Sequence, residues 1–207
     1  MMTKVTAAAS LVMLGSLAAP LLAGEETKRT WKFDEEPSGQ IAKGFVGAVG
    51  TWTVVDSDQG KALAQSAKNP NSVFNITLAT DTNAKDIELS VRMKAVAGEV
   101  DQGGGLVWRA KDAKNYYLAR YNPLEDNYRL YKVVDGKRTL IQNADITHSD
   151  GWHTLRVTMT GDQITCDYDG KKYLEAKDDT FPGPGQIGLW SKADAQSQFD
   201  DLSLQGR

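Results

Sequence analysis

Cysteine and histidine are almost absent from this chain: Cys166 is the only thiol, and His148 and His153 are the only imidazoles. A single thiol closes no internal disulfide, so stability must come from the core. Two histidines and one cysteine do not furnish an ordinary zinc site. No basic tract is longer than two residues and the formal net charge is −3. That balance argues against nucleic acid and anionic membranes as partners. Beyond residue 23 no apolar run is long enough to span a bilayer, and no long segment carries helical periodicity. There is no G-x-S-x-G elbow and no P-loop. GPGQIG at 183–188 has the G-x-G-x-x-G spacing, but it contains Pro184 and leads into a strand pattern, so no helix N-terminus awaits a phosphate.

The N-terminal stretch MMTKVTAAASLVMLGSLAAPLLAG has one early charge, Lys4, then none from Val5 to Ala23. A basic start, an apolar middle and small residues before a charged segment describe a secretory signal. The expectation is a signal at 1–23, cleaved after Ala23, and a single domain at 24–207, secreted or periplasmic, with no integral membrane segment after cleavage. A retained anchor is the alternative. A domain of this length buries a substantial core.

The rest of the chain is a series of short strand-like runs, from TWKF at 30–33 to FDDLSLQ at 199–205. Many alternate polar and apolar residues, as half-buried antiparallel strands do. SDQGK, NPNS, KDAKN, NPLEDN and PGPG separate them. Asp135-Gly136 and Asp169-Gly170 suit tight hairpins, where glycine accepts positive φ. The spacing predicts an all-β fold, a two-sheet antiparallel jelly-roll sandwich of about 12–14 strands. Cys166, sharing a face with Ile164 and Tyr168 in ITCDYDG, reads as a buried structural thiol. His153, beside Trp152 at a strand entry, reads as structural, and His148 as a loop residue.

The order of motifs carries a resemblance. WKFD precedes GTWTVVD; then follow KDIELSVRMK, GGGLVWRAKDAKNYYLARYN, YRLYKVVDGKR, GWHTLRV, GQIGLWSKADA and FDDLSL. This order resembles the concanavalin A-like lectin/glucanase jelly roll, and within it the 3-keto-disaccharide hydrolase type of exported bacterial domain. The resemblance implies two curved antiparallel sheets of six or seven strands. It also implies cleavage of 3-keto-glycosides as a candidate activity, with Arg109, Arg120 or Lys192 polarising the keto oxygen and Glu125 as candidate base. The laminarinase-type relatives of this fold carry E-x-D-x-x-E. Here Glu99 and Asp101 are followed by Gly104 in the third acidic position, which argues against that mechanism.

A sugar site needs an aromatic platform beside fixed polar groups. Residues 108–127 supply Trp108, Arg109, Tyr117, Arg120, Asn122, Glu125 and Asn127; LWSKADA adds Trp190, Lys192 and Asp194. Alternation leaves open which face of these strands points inward. Two arginines are expensive to bury without partners, so Arg109 and Arg120 are expected to reach a ligand surface or to pair with acids such as Glu125. At the paired termini, Asp34 and Asp201, with Asp200, are candidate oxygen ligands for a structural calcium; no other cofactor is expected. Three functions remain open: a protein binding a glycan or glycoside on its concave sheet, a 3-keto-glycoside hydrolase, and a non-catalytic envelope interaction protein.

Overall fold

The computed structural model describes residues 27–206. The predicted signal, with its cleavage site, lies outside the described residues. Fifteen strands form two antiparallel sheets. The eight-stranded sheet runs β13 (Lys171–Lys177), β12 (Gln163–Tyr168), β11 (Trp152–Thr160), β6 (Ile87–Ala97), β15 (Gln196–Gly206), β4 (Gly60–Gln65), β3 (Trp52–Ser57), and β1 (Thr27–Trp31) pairs with the second half of β15. The seven-stranded sheet runs β10 (Lys137–Asp145), β9 (Asn127–Val134), β8 (Asn115–Asn122), β7 (Gly104–Asp112), β14 (Gln186–Lys192), β5 (Phe74–Ala79), β2 (Phe45–Val49). This is the jelly-roll sandwich. Each sheet exceeds or meets the upper bound expected. The added strand is β2: its FVGAV shows only its first residue buried and the next three exposed, so it offers no alternation to read.

The core between the sheets follows from alternation. Ile87, Leu89, Val91 and Met93 of β6 face inward with Leu155, Val157 and Met159 of β11 and Ile164, Cys166 and Tyr168 of β12. The opposing sheet contributes Leu106, Trp108, Tyr117, Ala119, Tyr121, Tyr128 and Leu130. Cys166 is fully buried, and burial pushes its thiol far up from the ordinary value. The glycine run at 103–105 serves this packing. A Cβ on Gly104 would stand 2.6 Å from Met93 Cε and 2.9 Å from Phe199 Cζ of the facing sheet. Only glycine lets the sheets approach there.

The two sheets differ on their outer faces. β6 and β11 alternate buried with exposed or half-buried positions, whereas β7 and β8 are buried along nearly their whole length. A second apolar cluster, including Ile76, Val107, Tyr116, Leu118, Tyr131 and Trp190, covers the outer side of the seven-stranded sheet. That sheet is also strongly curled. Arg138 of β10 stacks 5.1 Å from the Phe74 ring of β5, with four strands between them. In a flat sheet these strands would be about 24 Å apart. The outer face of the seven-stranded sheet is therefore a concave trough.

Candidate functional site

Register places the polar residues of the trough in rows. Arg129, Arg120, Gly105 and Trp190 lie side by side across β9, β8, β7 and β14. Asn127 and Asn122 form the next row toward one end. The aromatic end holds Trp190, whose Nε1 donates to the Tyr116 hydroxyl at 3.0 Å, with Phe74 tilted against Trp190 at 5.4 Å between ring centroids. The Arg138 guanidinium sits over Tyr131 at 4.4 Å, Phe74 at 5.1 Å and Trp190 at 5.6 Å.

The polar end is built on Asp101, which is fully buried. Its Oδ1 accepts from Gly103 N at 2.6 Å and from Asn122 Nδ2 at 3.2 Å. Its Oδ2 lies 3.5 Å from both Arg120 Nη1 and Lys192 Nζ. Asp194 fixes the turn that presents Asp101 by accepting from the backbone N–H groups of Glu99, Val100 and Asp101. Burial opposes the ionised Asp194, but those three donors outweigh it and hold its carboxyl below the ordinary value. Arg120 Nη2 donates to Glu125 Oε2 and to Asn127 Oδ1, each at 2.9 Å, and Arg129 Nη1 donates to the same Glu125 oxygen at 2.8 Å. Desolvation alone would raise the Glu125 carboxyl. Asn127, Arg120, Arg129 and Lys192 together reverse this and hold it low. Glu125 is thus a fixed carboxylate with weak affinity for a proton, better suited to accepting hydroxyl hydrogens than to acting as a general base.

Of the sequence candidates, Arg120, Asn122, Glu125, Asn127, Trp190 and Lys192 share this trough. Three do not. Trp108 and Tyr117 stack on each other at 5.6 Å within the inter-sheet core, where Trp108 Nε1 points at Met159 Sδ. Their alternation is regular; the pattern does not tell which face is inner. Arg109 follows a bulge in β7 and has φ of 46°. Its guanidinium donates to the carbonyls of Lys85 at 2.8 Å, Phe181 at 2.9 Å and Gly161 at 2.8 Å, and lies 3.5 Å from Asp86. It ties three loops together and is part of the scaffold. Six residues of the trough are not among the candidates: Phe74, Asp101, Tyr116, Arg129, Tyr131 and Arg138. Arg129 and Tyr131 carried a signal, since they alternate on the face of β9 that pairs with Arg120 and Leu118. The approach of Arg138 depends on sheet curl, which no local pattern encodes.

The calcium candidates hold protein partners instead. Asp34 Oδ1 accepts from Lys61 N at 3.0 Å, and Asp201 pairs with Arg92 at 3.4 Å. Among the described residues no group of three or more His, Cys, Asp or Glu side chains is placed to hold a metal ion. Calcium takes six to eight oxygens, and this donor set does not fit it.

A cleft of about 320 Å³ at one end of the sandwich is lined by Gln102, Tyr121, His148, Ser149 and His153, among others. His153 Nδ1 lies 2.8 Å from Asp169 Oδ2, and its Nε2 lies 2.9 Å from the Ser149 carbonyl and 3.4 Å from Ser149 Oγ. The nearer partner of Nε2 is the carbonyl, so the ring braces a loop and does not serve the hydroxyl as a base. Its stacking on Tyr168 at 5.0 Å agrees with the structural role expected for it.

Comparison with known proteins gives the same architecture. Residues 20–205 match the family described as "3-keto-alpha-glucoside-1,2-lyase-like domain". The levanase of Bacillus subtilis (strain 168) is 27% identical over 167 residues, covering 77% of this chain and 22% of that protein. The chain spans about a fifth of the length of the curated relatives it matches. Among solved structures, the carbohydrate binding module CBM66 from Bacillus subtilis aligns with a TM-score of 0.68 and 23% identity, covering 79% of this chain and 96% of that one. The Bacillus licheniformis beta-glucanase aligns with a TM-score of 0.58 and 13% identity, covering 89% and 99%. At these identities the likeness is one of fold.

Proposed function

The chain belongs to the 3-keto-alpha-glucoside-1,2-lyase-like domain family, and from that premise we propose that it binds a glycan or glycoside in the concave trough of its seven-stranded sheet. One observation carries the reading. The outer face of this sheet is filled by aromatic rings and by a linked set of Asp101, Arg120, Glu125, Asn127, Arg129 and Lys192, although among the described residues no third layer covers it. Phe74, half-buried beside the buried Trp190, offers an apolar surface to the C–H side of a pyranose, and Glu125, Arg129 and Lys192, the more accessible members of the polar set, offer donors and acceptors to its hydroxyls. Those polar groups are held by one another before any ligand arrives, which lowers the entropy lost on binding. The basic start and apolar middle of residues 1–23 support a protein exported to meet such a ligand outside the cytoplasm.

Titration calorimetry of the protein against plant and microbial oligosaccharides tests this. Binding at millimolar concentration or tighter is expected, lost on Trp190→Ala. Absence of any saccharide binding at millimolar concentration removes the proposal.

Family membership favours a second reading, cleavage of a 3-keto-glycoside. A C3 ketone acidifies the C2–H. A base takes that proton, the electron pair forms the C1–C2 double bond, and the C1–O bond breaks to release the alcohol, which takes up a proton. Water then adds across the double bond. The keto oxygen needs a positive neighbour, for which Arg120 and Lys192 are placed and Arg109 is not. The weak proton affinity of Glu125 makes it a poor base for this step. Release of monosaccharide from a 3-keto-disaccharide, abolished by Glu125→Gln, would establish this reading over simple binding.

A further inference from the structure

Among the described residues, Arg138 is the cation of the trough with no carboxylate at ion-pair distance, although Asp101 and Glu125 lie near enough to act on it. Arg120 has Asp101 and Glu125, Arg129 has Glu125, and Lys192 has Asp101. Arg138 pairs with no carboxylate among the described residues and makes no hydrogen bond to them; its Nη1 is buried without a partner. Its flat face is nevertheless fixed by Tyr131, Phe74 and Trp190. The side chain is half-buried, and burial pulls its proton affinity down from the ordinary arginine value; Tyr131, Asp101 and Glu125 oppose this and Arg120 adds to it. An arginine always keeps its proton in such a setting.

A guanidinium held by its face presents its edge. With Nη1 sealed against the rings, the remaining edge of Nε and Nη2 offers two parallel N–H donors, the geometry that a carboxylate accepts in a bidentate pair. A neutral sugar hydroxyl would leave the charge uncompensated. A cationic sugar would meet Arg120, Arg129, Arg138 and Lys192 on one face. The other acids near this end, Asp101, Glu125 and Asp145, are occupied: Asp145 Oδ1 accepts from Asn143 Nδ2 at 3.4 Å, and the other two are paired as above.

We propose that the ligand of the trough is an acidic saccharide, one whose uronate carboxylate docks on the free edge of Arg138 while its ring lies toward Trp190. This rests on the reading of the trough as a sugar site. The pairing gives the site selectivity among sugars, because a carboxylate meets a cation that a hydroxyl or an ester does not satisfy.

The test uses the full chain and three acidic probes: oligomers of galacturonate, glucuronate and mannuronate, each beside its fully methyl-esterified form. At least one acid is expected to bind ten-fold or more tightly than its ester, with the preference falling as salt is raised toward 1 M, where charges are screened within about 3 Å. Arg138→Gln keeps a planar side chain and removes the charge. It is expected to erase the preference, so that the acid binds no more tightly than its ester. Arg138→Lys, a point charge without the fork, is expected to keep a reduced, salt-sensitive preference. Equal binding of every acid and its ester by the wild type overturns the acidic class while leaving the trough a sugar site. Binding confined to neutral oligosaccharides does the same. An acid preference that survives unchanged in Arg138→Gln overturns the assignment of Arg138. Absence of all saccharide binding removes the sugar site itself.

Discussion

The outer faces of the two sheets are built from similar residue types and differ in how those residues are held. On the eight-stranded sheet, Arg156 meets Glu88 at 2.7 Å and Lys94 meets Asp58 at 2.8 Å, with side chains between 29% and 54% exposed. These pairs stand in water, and Asp58 also accepts from Trp152 Nε1 at 2.8 Å. On the seven-stranded sheet Arg120 and Asp101 are at most 1% exposed, and Asp101, Arg120 and Glu125 each serve several other polar groups. Curl makes the difference. A flat outer face lets long side chains splay into solvent, whereas a curled one folds them over one another and over the aromatic rings beneath. The burial of charge on a face that no other sheet among the described residues covers is what singles out the trough.

The largest expected effect lies at the margin of that trough, in Arg109. Replacing it with alanine strands three carbonyls and removes the ion pair to Asp86. Breaking a buried charged network of this kind costs about 3–5 kcal/mol, or a fall in melting temperature of roughly 6–20 °C for a domain of this size. Saccharide affinity at temperatures where the variant is folded should not change, which calorimetry below the melt checks. An unchanged melting temperature would mean the loops hold without it.

Arg120 comes next, and it tests both properties at once. Arg120→Ala leaves Asp101 with Lys192 and Glu125 with Arg129, so its loss is partly offset. About 2–3 kcal/mol is expected, together with a loss of saccharide binding of at least ten-fold. Arg109→Ala and Arg120→Ala would then separate scaffold from site: both lower the melting temperature, and only the second lowers affinity. Of the two expectations for these arginines, a ligand surface or pairing with acids, both are found paired, Arg109 with Asp86 and Arg120 with Asp101 and Glu125.

Several features of this architecture can be read in the sequence and others cannot, for physical reasons. The inward faces of β6 and β11 are plain in ELSVRMK and TLRVTM, because one side is core and the other is water. In GLVWRA and NYYLARYN both sides are sealed, one by the facing sheet and one by the trough, so alternation gives two faces without an orientation. Trp108 and Tyr117 lie on the inner face, while Arg120 and Asn122 lie together on the outer one. Arg109 shares a parity with Val107 in a regular strand, and a bulge with positive φ removes it from the ladder. Asp101 lies at a glycine-rich corner whose conformation is set by Asp194, some ninety residues away. Contacts of that range leave no local trace.

Asp200 sharpens the contrast from the other side, as a carboxylate 5% exposed beside the open face of the eight-stranded sheet. Burial raises its pKa to about 6; the Asp201 N–H opposes this, Asp201 and Asp34 add to it, and Arg92 at 4.0 Å offsets little. A folded pKa above the unfolded one means the native state binds the extra proton. Stability from this group is therefore complete below about pH 4 and lost as pH rises through about 6. Asp200→Asn removes that penalty. At pH 7.5 it should raise stability by up to about 2 kcal/mol, and the variant should lose the decline between about pH 4 and 6 that melts of the wild type show. Coincident pH profiles for the two proteins would refute the assignment.

The smallest effect is expected on the open face itself. Arg156 and Glu88 are 45% and 47% exposed, and exposed pairs contribute at most about 1 kcal/mol because water screens the attraction and ordering two long side chains offsets much of it. Arg156→Ala should move the melting temperature by no more than about 2 °C. The double variant with Glu88→Ala should show almost no coupling between the two sites. Neither should alter saccharide affinity, since a full sandwich thickness separates this face from the trough. A loss of binding in Arg156→Ala would place the ligand on the eight-stranded sheet and reverse the roles assigned to the two faces. A large loss of stability would show that an open pair can act as the buried network does, and burial would no longer be the property that distinguishes the trough.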